Sequence, residues 1–222
     1  MEKSQFRSPI YPYLLLLPQL SIIVIFFYWP AAEAIRSSFF LEDPFGFSSP
    51  FVGLDNYQEM VSRSDYVRSA QFTVVFSVLV TFFSLAIALL LAVTADRVLR
   101  GASTYKTLLM WVYAIAPPVA GLIGIMLFDN LVGPIAEFFR SLGWDYKLGV
   151  NRFDTAFAMI TISIWKQIPV NFIFFLSGLQ GIPKSVQEAA AIDCASSTRR
   201  FWTITFPLLA PTGFFLLIIN IT

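Results

Sequence analysis

The 222-residue chain has no histidine and a single cysteine, Cys194. Those absences exclude, within this chain, a disulfide framework, a Cys/His zinc site, a Ser-His-Asp triad and a Cys-His dyad. Charge is scarce as well. Asp, Glu, Lys and Arg make up 13% of the residues, about half of the roughly 25% usual in soluble domains, too few to cover a soluble surface. Fifteen basic residues against 14 acidic leave a net charge of +1, so no basic excess supports nucleic-acid binding through phosphate neutralisation. What abounds is apolar, at 57%, and the chain reads as an all-α integral membrane protein.

A bilayer core of about 30 Å needs about 20 mostly apolar helical residues. Runs at 13–32, 72–94, 107–128 and 155–179 meet that length, the first three without a charge and the fourth with only Lys166. A fifth, 207–222, is still apolar where the sequence stops. The first run is longer than the apolar core of a signal peptide, about 7 to 15 residues, and is read as a retained helix.

Eight Lys and Arg residues fall in the N-terminus and the loops after spans two and four, against six in the alternate loops. Cytoplasmic loops carry the excess, which places the N-terminus and 180–206 in the cytoplasm of a multi-pass protein. Tyr28, Trp29, Trp111, Tyr113, Trp144 and Tyr146 stand near span ends, where amphipathic rings favour the headgroup level. The stretch from Glu42 to Tyr57, dense in Pro, Gly, Ser and Asp, reads as turns.

Lys166 lies in mid-span, where a charge costs on the order of 2.5 to 3.5 kcal/mol on insertion scales. Pro169 frees the carbonyl of Trp165, and Gln167 and Asn171 lie one turn apart on the neighbouring face. A polar, kinked mid-membrane stretch is where transporters of other folds place substrate. Lys166, Gln167 and Asn171 are therefore candidate pathway residues, the alternative being that Lys166 pairs with freed carbonyls or a partner carboxylate for packing alone. The spans offer no clustered carboxylates, metal ligands or activated nucleophile, so no catalytic or metal site is assigned and a membrane-embedded enzyme acting on phosphate esters is the more distant reading.

Between spans four and five, Ser185 and Glu188 have the spacing of a capping box, followed by the small residues Ala189, Ala190 and Ala191. Ser196-Ser197-Thr198 offers a second helix cap before Phe201 and Trp202. Two short helices of this kind read equally as an interfacial linker or as a docking knob with a bald first helix. The run Gly178 to Ser185 is no phosphate-binding loop, because Pro183 stands where a glycine N–H is required.

Glu188-Ala189-Ala190-Ala191-Ile192-Asp193-Cys194-Ala195, followed by Phe201 to Pro211 with its Pro207-Leu208-Leu209, resembles the EAA loop of permease subunits of binding-protein-dependent ABC importers. Phe51-Val52-Gly53-Leu54-Asp55-Asn56-Tyr57 is similar to the outer-loop signature of the sugar-type permeases. Asp43 to Ser49, Trp165-Lys166-Gln167 and Asn171-Phe172 look more narrowly like the A-type permeases of importers for sn-glycerol-3-phosphate and its diesters.

The resemblance implies a type I permease fold with five predicted spans of an expected six, one permease domain over 1–222, and transport of sn-glycerol-3-phosphate or glycerophosphodiesters, or else of a sugar or other polyol. It implies that Glu188, Ala189, Ala190, Asp193 and Cys194 couple to ATPase subunits, Cys194 standing where relatives carry glycine. The implied partners are a second permease subunit, two ATPase subunits, a periplasmic or extracellular substrate-binding protein and the phospholipid bilayer of the cell (inner) membrane. No cofactor is expected in this chain; ATP and Mg would belong to the ATPase subunits. Ending inside span five, the chain is expected to be unstable alone and to expose Asn220 to lipid.

Overall fold

The computed structural model describes residues 10–41, 49–97, 102–183, 185, 186, 188, 190 and 196–221. Apart from an isolated bridge between Phe40 and Phe51, the described residues form helices and loops without a strand. Among the described residues four helices are long and apolar enough to cross a membrane, and a bent pair makes a possible fifth span. The chain divides into two compact units, Met1–Gln71 and Phe72–Thr222.

In the first unit, α1 (Tyr11–Ser37) buries none of its residues. From Tyr11 to Ala32 it carries no charged residue and is apolar on nearly every side, which suits lipid. Its ladder widens into a π turn over Val24–Tyr28, where the Trp29 N–H reaches back to the Val24 carbonyl. Pro30 follows at once, and having no N–H it cannot bond the carbonyl four residues back; π turns and prolines are the usual sites of such irregularity.

Beyond α1 the chain does more than turn. Val52 N–H donates to the Phe39 carbonyl at 2.9 Å and Leu41 N–H to the Pro50 carbonyl at 3.0 Å, and the Phe40 and Phe51 rings meet edge to face at 5.4 Å. Gly53, at φ +59°, supplies the left-handed corner that turns the chain into α2 (Asp55–Ser62). Asn56 Nδ2 then donates to the carbonyls of Ser38 and Phe40 at 2.9 and 3.0 Å, and the Tyr57 and Ser38 hydroxyls lie 2.6 Å apart. The Gly53-Leu54-Asp55-Asn56-Tyr57 signature is thus a staple that closes this loop on itself; residues 42–48 lie outside the described residues.

α3 (Ser64–Arg97) runs on into the second unit, where it meets α7 (Arg152–Gln180) and α8 (Ser197–Ile221, with a π turn over Phe201–Thr205). Ala88, Ala92 and Ala95 of α3 share one core with Phe172, Phe175, Leu176 and Leu179 of α7 and Leu209 and Leu216 of α8. Helices in lipid associate through close packing of small residues. At Gly178 an added Cβ would stand 2.9 Å from Leu209 Cδ2.

The third span differs from the single helix expected over 107–128. It is two helices, α4 (Ala102–Ala114) and α5 (Pro117–Phe128), bent by 98°. The cause is local: the residue before a proline is driven out of helical geometry, and Ala116 is extended at φ −59°, ψ 140° ahead of Pro117 and Pro118.

After α5 a small lobe contains α6 (Pro134–Ser141) and a core of Phe128, Ala136, Tyr146 and Ala158. Tyr146 is not the headgroup anchor expected from its position. It is 2% exposed, with its ring 5.7 Å from Phe139, which in turn lies 4.9 Å from Trp144. Ring-on-ring packing inside the lobe wins over the interface.

Candidate functional site

The mid-span polar residues separate into two places. Lys166, at the midpoint of α7, sends Nζ to the end of α4, donating to the carbonyls of Val112 and Tyr113 at 2.9 Å each and to that of Ile115. Nζ also lies 5.7 Å from the centre of the Tyr113 ring, within cation–π range. Of the two packing partners weighed for Lys166, the structure supplies freed carbonyls, but those of the third span's break rather than that of Trp165. Gln167 is half-buried beside it, and Pro169 is buried within α7.

Asn171, fully buried, belongs to a second cluster that ties three helices together. Its Nδ2 donates to Ser84 Oγ of α3 at 3.2 Å and to Asn220 Oδ1 of α8 at 3.1 Å. Asn220 Nδ2 returns a bond to Asn171 Oδ1 at 2.9 Å, and Ser84 Oγ reaches Asn220 Oδ1 at 3.2 Å. The expectation that Asn220 would face lipid is therefore corrected: an amide in hydrocarbon is costly unless paired, and Asn171 and Ser84 pair it. Sequence reasoning missed Ser84; a hydroxyl between apolar neighbours was its only signal.

At the other end of α7, Ser185, Val186, Glu188 and Ala190 are helical. Glu188 is exposed, whereas Ala190 is buried and lines a cavity of about 350 Å³ with Val93, Asp96, Leu179, Ile182 and Arg200. Ala190 thus faces this chain's own interior, and Glu188 is open to solvent. Ala189, Asp193 and Cys194 lie outside the described residues. The second cap forms as expected, Ser196 Oγ accepting from Arg199 N–H at 3.3 Å.

The lobe between α5 and α7 holds a further polar set. Asp129 accepts from the N–H groups of Leu131 and Val132 at 2.8 and 3.0 Å, and these two bonds hold its carboxyl below the usual carboxylate range. Asp154, fully buried, accepts from Lys147 N–H at 2.8 Å. Burial, and then the charge of Asp154, push the Tyr146 phenol above its ordinary value. Among the described residues no group of three or more His, Cys, Asp and Glu could hold a metal ion.

Apolar helices tied by a buried polar cluster and one apolar stretch broken at a proline pair are the features of a multi-span membrane protein. The sequence family described as "Binding-protein-dependent transport system inner membrane component" matches residues 59–222, and the chain belongs to that family. It is 48% identical over 220 residues to the sn-glycerol-3-phosphate transport system permease protein UgpA of Rhizobium meliloti (strain 1021), covering 99% of this chain and 75% of that one. Against the same-named protein of Brucella abortus biovar 1 (strain 9-941) the identity is 50% over 223 residues, with the same coverage.

Among solved structures, a bacterial ABC transporter involved in the import of the acidic polysaccharide alginate aligns with TM-score 0.77 at 22% identity, over 95% of this chain and 71% of that one. The alginate transporter in complex with an alginate pentasaccharide-bound periplasmic protein gives 0.78 at 21%, over 95% and 70%. These two likenesses establish the type I importer permease fold. The chain is a membrane permease subunit of an importer of this class.

Proposed function

We propose that this subunit carries sn-glycerol-3-phosphate or its diesters inward, driven by ATP hydrolysis on partner chains. The observation that carries this reading is the 48 to 50% identity, over 99% of the chain, to permeases of sn-glycerol-3-phosphate systems. A second permease completes the pathway, two ATPase subunits bind ATP and Mg, and a substrate-binding protein delivers the ligand; the family's description and the binding-protein complex of the alginate transporter support the last of these partners. The N-terminus and residues 180–206 face the cytoplasm, as the Lys/Arg distribution favours.

In this reading the loop with Glu188, Ala189, Ala190, Asp193 and Cys194 receives the ATPase. Exposed Glu188 meets the partner, while buried Ala190 keeps the helix close to α3 and α7. Lys166, Gln167 and Asn171 mark the stretch of α7 nearest the substrate path. The cation of Lys166 suits a phosphate ester, towards which lysine acts as a point charge.

Growth tests the substrate. A strain lacking its own permease for sn-glycerol-3-phosphate, supplied with this gene and its partners, should grow on that ester as sole phosphorus source. Growth restored on a neutral sugar or polyol alone would assign the subunit to another substrate.

A further inference from the structure

The break in the third span leaves carbonyls that the helix ladder of α4 and α5 does not satisfy. In an unbroken helix the Tyr113 carbonyl would accept from residue 117 and the Ala114 carbonyl from residue 118. Both are prolines and have no N–H to give. The Val112 carbonyl, which would accept from Ala116 in an unbroken helix, receives from the backbone only a long bond from Ile115 N–H at 3.4 Å.

Lys166 answers this deficit from another helix. Its ammonium has three N–H donors and three carbonyl partners, those of Val112, Tyr113 and Ile115. The positive group stands at the negative end of the α4 dipole, where a cation is stabilised. No donor is left over, so an additional anion can be bound only by releasing a carbonyl.

We propose that Lys166 is a positioning residue that latches the bent third span to α7, and that the anionic substrate releases the latch by competing for the ammonium. The release step rests on the reading that this subunit carries a phosphate ester; the latch itself does not. A phosphate oxygen, bearing charge, is a stronger acceptor than a neutral carbonyl. Once it draws Lys166 away, the Tyr113 carbonyl has no local donor, and the α4–α5 angle is free to change. A neutral polyol has no charge with which to compete and leaves the bend in place.

The test uses the importer assembled with its partner subunits in lipid nanodiscs. Spin labels are placed at Met110→Cys on α4 and Met126→Cys on α5, both exposed positions, with Cys194→Ser present throughout. Wild-type Lys166 should give one narrow distance population across the break. Lys166→Met should give a second population without any ligand, and Lys166→Arg should restore the single one. Should Lys166→Met fail to assemble, Lys166→Gln, which keeps N–H donors but no charge, takes its place and should give both populations.

Saturating sn-glycerol-3-phosphate should induce the second population in the wild type, and glycerol should not. Uptake by Lys166→Met should fall about tenfold or more, the scale of losing one hydrogen bond to a charged group. An unchanged single population in both uncharged variants overturns the latch. An unchanged wild-type distribution with the ester, in an importer that transports it, overturns the release step. An importer that does not transport the ester at all overturns the substrate reading and the release step with it, while the ligand-free distributions still decide the latch.

Discussion

At the scale of single residues, the second unit is tied together in part by polar groups that lipid would penalise if they were left alone. Asn171 and Asn220 exchange hydrogen bonds across α7 and α8, 49 residues apart in sequence. Interhelical bonds of this kind average about 0.6 kcal/mol and reach about 1.7 kcal/mol by double-mutant cycles. Asn171→Ala and Asn220→Ala, measured singly and together by thermal unfolding in detergent, should give a coupling energy in that range. Additivity of the two changes would mean that the pair is not a unit. Tyr146 is a different case, because its phenol is raised chiefly by burial. The folded state therefore holds the proton to a higher pH than the unfolded chain, and stability falls as pH rises from the ordinary tyrosine value of about 10 through the raised one. Tyr146→Phe should abolish that alkaline loss while leaving stability at neutral pH nearly unchanged. An alkaline melting curve identical to wild type would place the titration elsewhere.

At the scale of elements, the spans were legible because hydrocarbon thickness leaves few options: an apolar run of sufficient length becomes a helix, and α1, α3, α7 and α8 each cover the runs expected. The broken third span was not legible from run length, since counting apolar residues passes over Pro117 and Pro118 as if they were neutral. The partner of Lys166 was unreadable for a related reason: backbone carbonyls have no letter in the sequence, and only the break exposes them. The loop after α7 was legible as a motif resemblance, but not in its facing. Alanines at 189 and 190 look alike in sequence, whereas Ala190 proves to be turned into its own chain. Glu188, exposed, is the residue free to act outward. Glu188→Ala should leave the subunit inserted and assembled while uncoupling ATP hydrolysis from uptake, whereas Ala190→Phe should displace the loop and lower assembly itself. Measuring ATPase activity and uptake on the same proteoliposomes separates the two, and wild-type uptake by both variants would reduce the loop to a linker.

At the scale of the whole molecule, side-chain contacts cannot reveal which face of the membrane each loop meets, because helix packing is the same for either orientation. Orientation is carried instead by charge, and here the excess of Lys and Arg is small, eight against six. The acidic residues fall the same way, with nine of the fourteen in the two loops assigned outside, between Glu42 and Asp154, although carboxylates contribute little to topology. In the proposed orientation, five spans beginning inside would place 180–206 in the cytoplasm with Cys194, and α6 and its lobe outside. The single thiol makes this a clean experiment, since the wild-type chain needs no cysteine removed. An impermeant maleimide should fail to label Cys194 in intact cells and should label it after permeabilisation. Ser141→Cys, at the exposed end of α6 in a Cys194→Ser background, should give the reverse, labelling in intact cells. Ready labelling of Cys194 from outside, with Ser141→Cys protected, would invert the topology and with it the side on which the ATPase subunits dock.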